Sequence, residues 1–188
     1  MEKNNLPQAR RFNAKAVGFL FLIIAVIIIV LLLQDKDSSI TPSRPARPNP
    51  GQAAPNFSFP GLDGKIVTLA DYRGKVVLLN IWATWCPSCV EEMPSLEKLH
   101  RELGGTSFTL LAASIDQQGA NAVLPFMRNH RLTFPALLAD EDLVQRLYGI
   151  TGVPESFIID KEGIIAKVVI GPVDWAAPEM VSYLRKLL

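Results

Sequence analysis

One continuous stretch constrains this chain more than any other: Lys75-Val76-Val77-Leu78-Leu79-Asn80-Ile81-Trp82, followed by Ala83-Thr84-Trp85-Cys86-Pro87-Ser88-Cys89. The first part is a near-continuous apolar run, the pattern of a central strand covered on both faces. From Pro87 the period changes. Val90, Met93, Leu96, Leu99 and Leu103 recur at spacings of three and four, a helical stripe that Gly104-Gly105 stops. The only two cysteines of the 188 residues therefore sit at a strand-to-helix junction, three apart. Such a pair closes almost no loop and is a poor staple, which leaves thiol-disulfide chemistry as its use. Pro87 fits a first helical turn, where its missing N–H costs nothing, whereas Pro94 is expected to kink the helix.

The flanking sequence supplies the rest of an α/β domain. Phe57-Ser58-Phe59 and Ile66-Val67-Thr68-Leu69 alternate around the turn Gly61-Leu62-Asp63-Gly64, a hairpin signal. Ser107 to Ile115 reads as a second buried strand, Ala120 to His130 as a helix containing Pro125, and Ala136-Leu137-Leu138 as a short extended piece. Glu141 to Tyr148 reads as a helix closed by Gly149. Ser156 to Asp160 and Ile164 to Ile170 form a hairpin, and a last helix begins between Trp175 and Pro178. The order predicts a mixed central sheet with helices on both faces and an added N-terminal hairpin.

Ahead of this domain lie a polar tail (1–15), an uncharged block (16–33), and a proline-rich stretch (34–52) that reads as a linker; the domain is expected over 53–188. Eighteen uncharged residues make roughly 27 Å of helix, near the ~30 Å of a bilayer core. No small-residue cleavage site follows the block, so a retained single-pass anchor is expected rather than a signal peptide. Arg10, Arg11 and Lys15 before the block, against Lys36 with Asp35 and Asp37 after it, orient the tail inward. The expected location is the bacterial cytoplasmic (inner) membrane with the domain on the periplasmic side. From Gln52 onward, 12 Lys and Arg stand against 15 Asp and Glu, which gives no basic patch and argues against nucleic acid as a partner.

A thiol of ordinary pKa is a slow nucleophile at neutral pH, and a helix N-terminus stabilises its thiolate. Cys86 is so placed and should attack a substrate disulfide; Cys89, one turn later, should resolve the mixed disulfide. Glu92, on the same early helix, is either the proton partner of the resolving thiol or an exposed helix acid. Pro154, between a loop and a strand, suits a cis bond, and Glu155 adds negative potential beside the thiols or is solvated. Glu91 and Glu97 read as solvated acids, and His100 and His130 as surface residues. The spacing of Cys86, Cys89, His100 and His130 does not fit a zinc site, and no cofactor is called for. A one-cysteine peroxidase would leave Cys89 without a role, and no Met or His stands beside the pair to complete a copper-binding module.

The combination of Leu62-Asp63-Gly64-Lys65, Asn80 to Cys89, Glu92-x-Pro94, and Gly152-Val153-Pro154-Glu155-Ser156-Phe157 resembles the membrane-anchored thioredoxin-like proteins of the TlpA, ResA and DsbE type. That resemblance implies a thioredoxin fold, Pro154 as a cis-proline facing Cys86 and Cys89, Glu92 as the acid that tunes them, and Trp85 as a flat shield over the attacking sulfur. Pro87-Ser88 and Pro154-Glu155 lean to the DsbE type. It further implies a protein disulfide reductase supplied by a membrane thiol-electron carrier and acting on apocytochrome c cysteines during cytochrome c maturation. Oxidase or isomerase action on exported proteins is the alternative.

Overall fold

Strand β3 (Val76–Trp82) is buried at every position, as its unbroken apolar run requires. In the computed structural model, which describes residues 22–30, 47–105 and 107–188, it is the centre of a five-stranded sheet. β4 (Phe108–Ser114) pairs with it in parallel on one side, and β5 (Ala136–Leu138) continues in parallel beyond β4. On the other side β6 (Glu155–Ile159) runs antiparallel to β3, and β7 (Ile165–Ile170) antiparallel to β6. The order β5-β4-β3-β6-β7 is a mixed sheet of the thioredoxin-like kind. A separate antiparallel pair, β1 (Ser58–Pro60) and β2 (Ile66–Thr68), precedes it.

Four helices complete the unit Arg44–Leu188: α1 (Pro87–Leu103), α2 (Ala120–Asn129), α3 (Glu141–Tyr148) and α4 (Pro178–Leu187). α1 buries Met93, Leu96, Leu99 and Leu103, the stripe read from the sequence. It runs through Pro94 as one helix. α3 starts where the Asp140 carboxylate accepts the Leu143 N–H at 2.8 Å, and ends at Gly149, whose φ of 59° is left-handed, a conformation that glycine adopts without penalty. The Tyr148 ring packs on Phe157 of β6, and its hydroxyl donates to the Pro55 carbonyl at 2.6 Å, tying α3 to the chain entering β1. Burial around the hydroxyl raises the Tyr148 pKa.

One expectation for the N-terminal part changes. Residues 22–30 are helical. Among the described residues no helix is long and apolar enough to cross a membrane. The expected single-pass anchor, and with it the inner-membrane location with a periplasmic domain, is thereby overturned; the rest of 16–33 and the tail 1–15 lie outside the described residues. The end of the stretch expected as linker is docked. Gly51 N–H donates to Ile165 at 2.8 Å, Ile165 N–H to Gln52 at 2.9 Å, and Ala54 N–H to Gly163 at 2.9 Å, so residues 51–54 lie along β7 and the turn before it.

Candidate active site

The cysteine pair is held by the ends of β3 and β4. The Ile115 N–H donates to the Trp82 carbonyl at 2.9 Å, carrying the pairing one residue past the end of β4. Beyond it, the Asp116 carboxylate accepts from the Thr84 N–H at 2.9 Å, the Thr84 hydroxyl at 2.6 Å and the Ser114 hydroxyl at 2.7 Å. This fixes the loop Ala83–Thr84–Trp85 and delivers Cys86 to the N-cap of α1.

Cys86 and Cys89 are joined in a disulfide, with Cα atoms 5.3 Å apart. Cys86 Sγ accepts the Cys89 N–H at 3.1 Å, and its neighbours are the Ser88 hydroxyl at 3.4 Å and the Val153 carbonyl at 3.5 Å. The Val153–Pro154 bond is cis, and Pro154 is buried beside that carbonyl. A groove of about 360 Å³ opens over the pair, lined by Trp85, Cys86, Ser88, Ile150, Gly152 and Val153 among others. Cys89 does not reach it and is fully buried. Trp85 is 62% exposed and forms part of the groove wall. Pro87 occupies the first turn of α1.

Glu92 is 3% exposed, not a solvated helix acid. Its Oε1 accepts from Asn80 Nδ2 at 2.8 Å, and its Oε2 from the Trp175 indole N–H at 3.1 Å and the Val173 N–H at 3.4 Å. Asn80 Nδ2 also reaches the Ser156 hydroxyl at 3.0 Å, its partner in register across β3 and β6. Burial raises the Glu92 pKa, and the three donors oppose that shift without cancelling it. A second cleft of about 380 Å³, lined by Glu91, Glu92, Pro94, Ser95, Pro172 and Val173 with Asp174, shares no residue with the Cys86 groove.

Glu155 is fully buried rather than solvated. The Arg47 guanidinium meets both of its oxygens: Nη2 donates to Oε2 at 3.0 Å, while Nε stands 2.6 Å from Oε1, a close ion-pair contact outside hydrogen-bond alignment. The Thr151 N–H is 3.4 Å from Oε2. Burial raises the Glu155 pKa, with Arg47 and Thr151 pulling the other way. Glu97 also departs from the solvated reading. It accepts from Thr133 N–H and hydroxyl at 2.8 and 2.7 Å and pairs with Arg101, and although burial pushes its pKa up, these bonds hold it below the ordinary value. His130 is exposed and stacks on Phe126, whereas His100 is half-buried, edge-on to Phe134. Among the described residues no group of three or more His, Cys, Asp and Glu side chains converges as a metal site. Trp175, Asp116 and Arg47 carry no motif of their own, and Ser156 stands in the Gly152–Phe157 motif without a role read from it.

A family model described as "AhpC/TSA family" matches residues 50–168, well over half of the sequence and the whole of the cysteine site. The chain belongs to the AhpC/TSA family. Among its relatives, the thiol-disulfide oxidoreductase ResA of Geobacillus thermodenitrificans is 37% identical over 121 residues, which are 64% of this chain and 69% of that one. The ResA of Bacillus thuringiensis subsp. konkukian is 33% identical over 137 residues, 73% of this chain and 78% of that one. A solved structure from Chlorobium tepidum, described as a putative thiol:disulfide interchange protein DsbE, superposes with a TM-score of 0.64 at 28% identity, covering 74% of this chain and 95% of that one. This AhpC/TSA-family chain is accordingly a thiol-disulfide oxidoreductase of the ResA and DsbE type, with Cys86 and Cys89 as its cysteine pair.

Proposed function

We propose that the protein reduces disulfides in protein substrates, with the paired cysteines of apocytochrome c as the client during cytochrome c maturation. The observation that carries the direction is the buried acid Glu92, whose partners are all neutral donors. It lies one turn beyond Cys89, whereas the other buried acid, Glu155, is compensated by Arg47. Negative potential beside the sulfurs disfavours thiolates and favours the disulfide, which makes the reduced pair a stronger electron donor. Cys86, alone of the two in the groove, attacks the client disulfide as thiolate and forms a mixed disulfide. Cys89 then passes its proton to the Glu92 carboxylate and attacks Cys86 Sγ, releasing the client as a dithiol and leaving the disulfide seen here. An upstream dithiol restores the reduced state. The resemblance at Cys86-Pro87-Ser88-Cys89 and Pro154-Glu155 supports the cytochrome reading.

The test is the reduction potential of the Cys86/Cys89 couple in the full chain, together with trapping. A potential at or below thioredoxin's ~−270 mV supports a reductase, and one near DsbA's ~−120 mV replaces it with the oxidase reading. Cys89→Ala should accumulate a mixed disulfide with an apocytochrome c peptide, and Cys86→Ser should form none. Exchange that survives Cys86→Ser sinks the assignment of the attacking sulfur.

A further inference from the structure

We infer that Arg47, from the segment ahead of the first strand, is a positioning residue for the exchange reaction: through Glu155 and Thr151 it clamps the 151–155 loop that forms the wall against Cys86. The inference rests on Cys86 being the attacking sulfur, as proposed above. Its geometry is specific. One guanidinium reaches both carboxylate oxygens of a fully buried Glu155 and places Nη2 3.3 Å from the Thr151 hydroxyl, bridging the two ends of the loop. Between those ends lie Gly152 and Val153, which line the Cys86 groove, and the cis Pro154. The Val153 carbonyl is the loop's contact with Cys86 Sγ.

Arg47 is itself held. Pro48 beside it is buried, and Gly51 and Gln52 are bonded to Ile165. The clamp therefore spans from the segment on β7 to the start of β6, and its two charged groups are 108 residues apart in sequence. Glu155 has no other charged neighbour among the described contacts. Its partners in register, Ile81 on β3 and Ile170 on β7, are apolar, and Thr151 offers one neutral donor, its N–H. Removing Arg47 would strand a carboxylate in the interior, where it relaxes by taking a proton or by pulling the loop toward water. Either response moves the Val153 carbonyl.

The experiment uses the reduced full chain and measures the rate of Cys86 with dithiobis(nitrobenzoate) from acidic to neutral pH. Arg47→Ala should slow the reaction about tenfold, since removing one partner of a buried ion pair leaves the other uncompensated. Arg47→Lys, which keeps the charge but not the fork, should recover part of the rate. The Arg47→Ala profile should also gain a pH step that vanishes in Arg47→Ala/Glu155→Gln; a general loss of stability would lower the melting point without adding that step. If Arg47→Ala does not fold, Arg47→Lys is read in its place: a rate below the wild type supports the clamp, and the wild-type rate overturns it. Wild-type rate and profile in Arg47→Ala, or an added step that persists without Glu155, also overturn it. A reaction that survives Cys86→Ser would instead defeat the reading of the attacking sulfur and leave the Arg47 result to stand on its own rate.

Discussion

Glu92 and Glu97 lie on one helix, five residues apart; burial pushes both pKa values up, but their net shifts run in opposite directions because their donors differ. Glu92 has its pKa raised from 4.5, so the folded chain holds that proton more tightly than the unfolded chain. Its contribution to stability is fully present below the unfolded value and is lost as pH rises through the folded one. Glu97, with two donors from Thr133 and a third from Arg101, has its pKa lowered; its contribution is present above the unfolded value and is lost as pH falls through the folded one. Urea midpoints measured across this range should show Glu92→Gln flattening the decline on the alkaline side and Glu97→Gln flattening the decline on the acid side. Glu155 shifts in the same direction as Glu92, so Glu92→Gln should remove only part of its slope. From sequence, Glu92 was legible as a proton partner only as one of two readings, and Glu97 only as a solvated acid. What decides between such readings is burial against residues 36 and 83 positions away, Thr133 and Trp175, which no local pattern encodes.

At the scale of elements, the junction between β3 and α1 depends on a residue from neither. Asp116, just past β4, supplies the acceptor for the Thr84 N–H, the Thr84 hydroxyl and the Ser114 hydroxyl. Asp116→Ala should cost about 1–3 kcal/mol in urea unfolding, the usual cost of leaving buried donors unpaired, and should broaden the placement of Cys86. Slower alkylation of Cys86 in the reduced variant would register the second effect, and an unchanged unfolding midpoint would refute the first. The order and kind of the elements were readable because each follows from local chemistry: the apolar run of β3, the three-four stripe of α1, Gly149 closing α3. The sheet order was not, since β6 enters between β3 and β7 by pairing Asn80 with Ser156 across 76 residues. The 51–54 segment escaped for a related reason. Four prolines spaced at two and three residues look like a tether, and only the Ile165 and Gly163 backbone shows where it is tied.

For the whole molecule, the disulfide adds little to the fold. A bridge between residues three apart closes so short a loop that the chain-entropy contribution is at most about 2 kcal/mol. Its two cysteines are a small part of a buried core that also holds Trp82, Tyr148, Phe157 and Trp175. Urea unfolding with and without dithiothreitol should therefore show a reduced protein that stays cooperatively folded, with a stability change of about 2 kcal/mol or less; unfolding on reduction would mean that the pair is structural. A molecule that keeps its shape through both halves of its cycle can meet clients without refolding. The two clefts bear on the same point. The groove over Cys86 and the cleft beside Glu92 have no lining residue in common. On the mechanism proposed above, a large partner docked over Cys86 would therefore leave the walls of the proton acceptor's cleft uncovered.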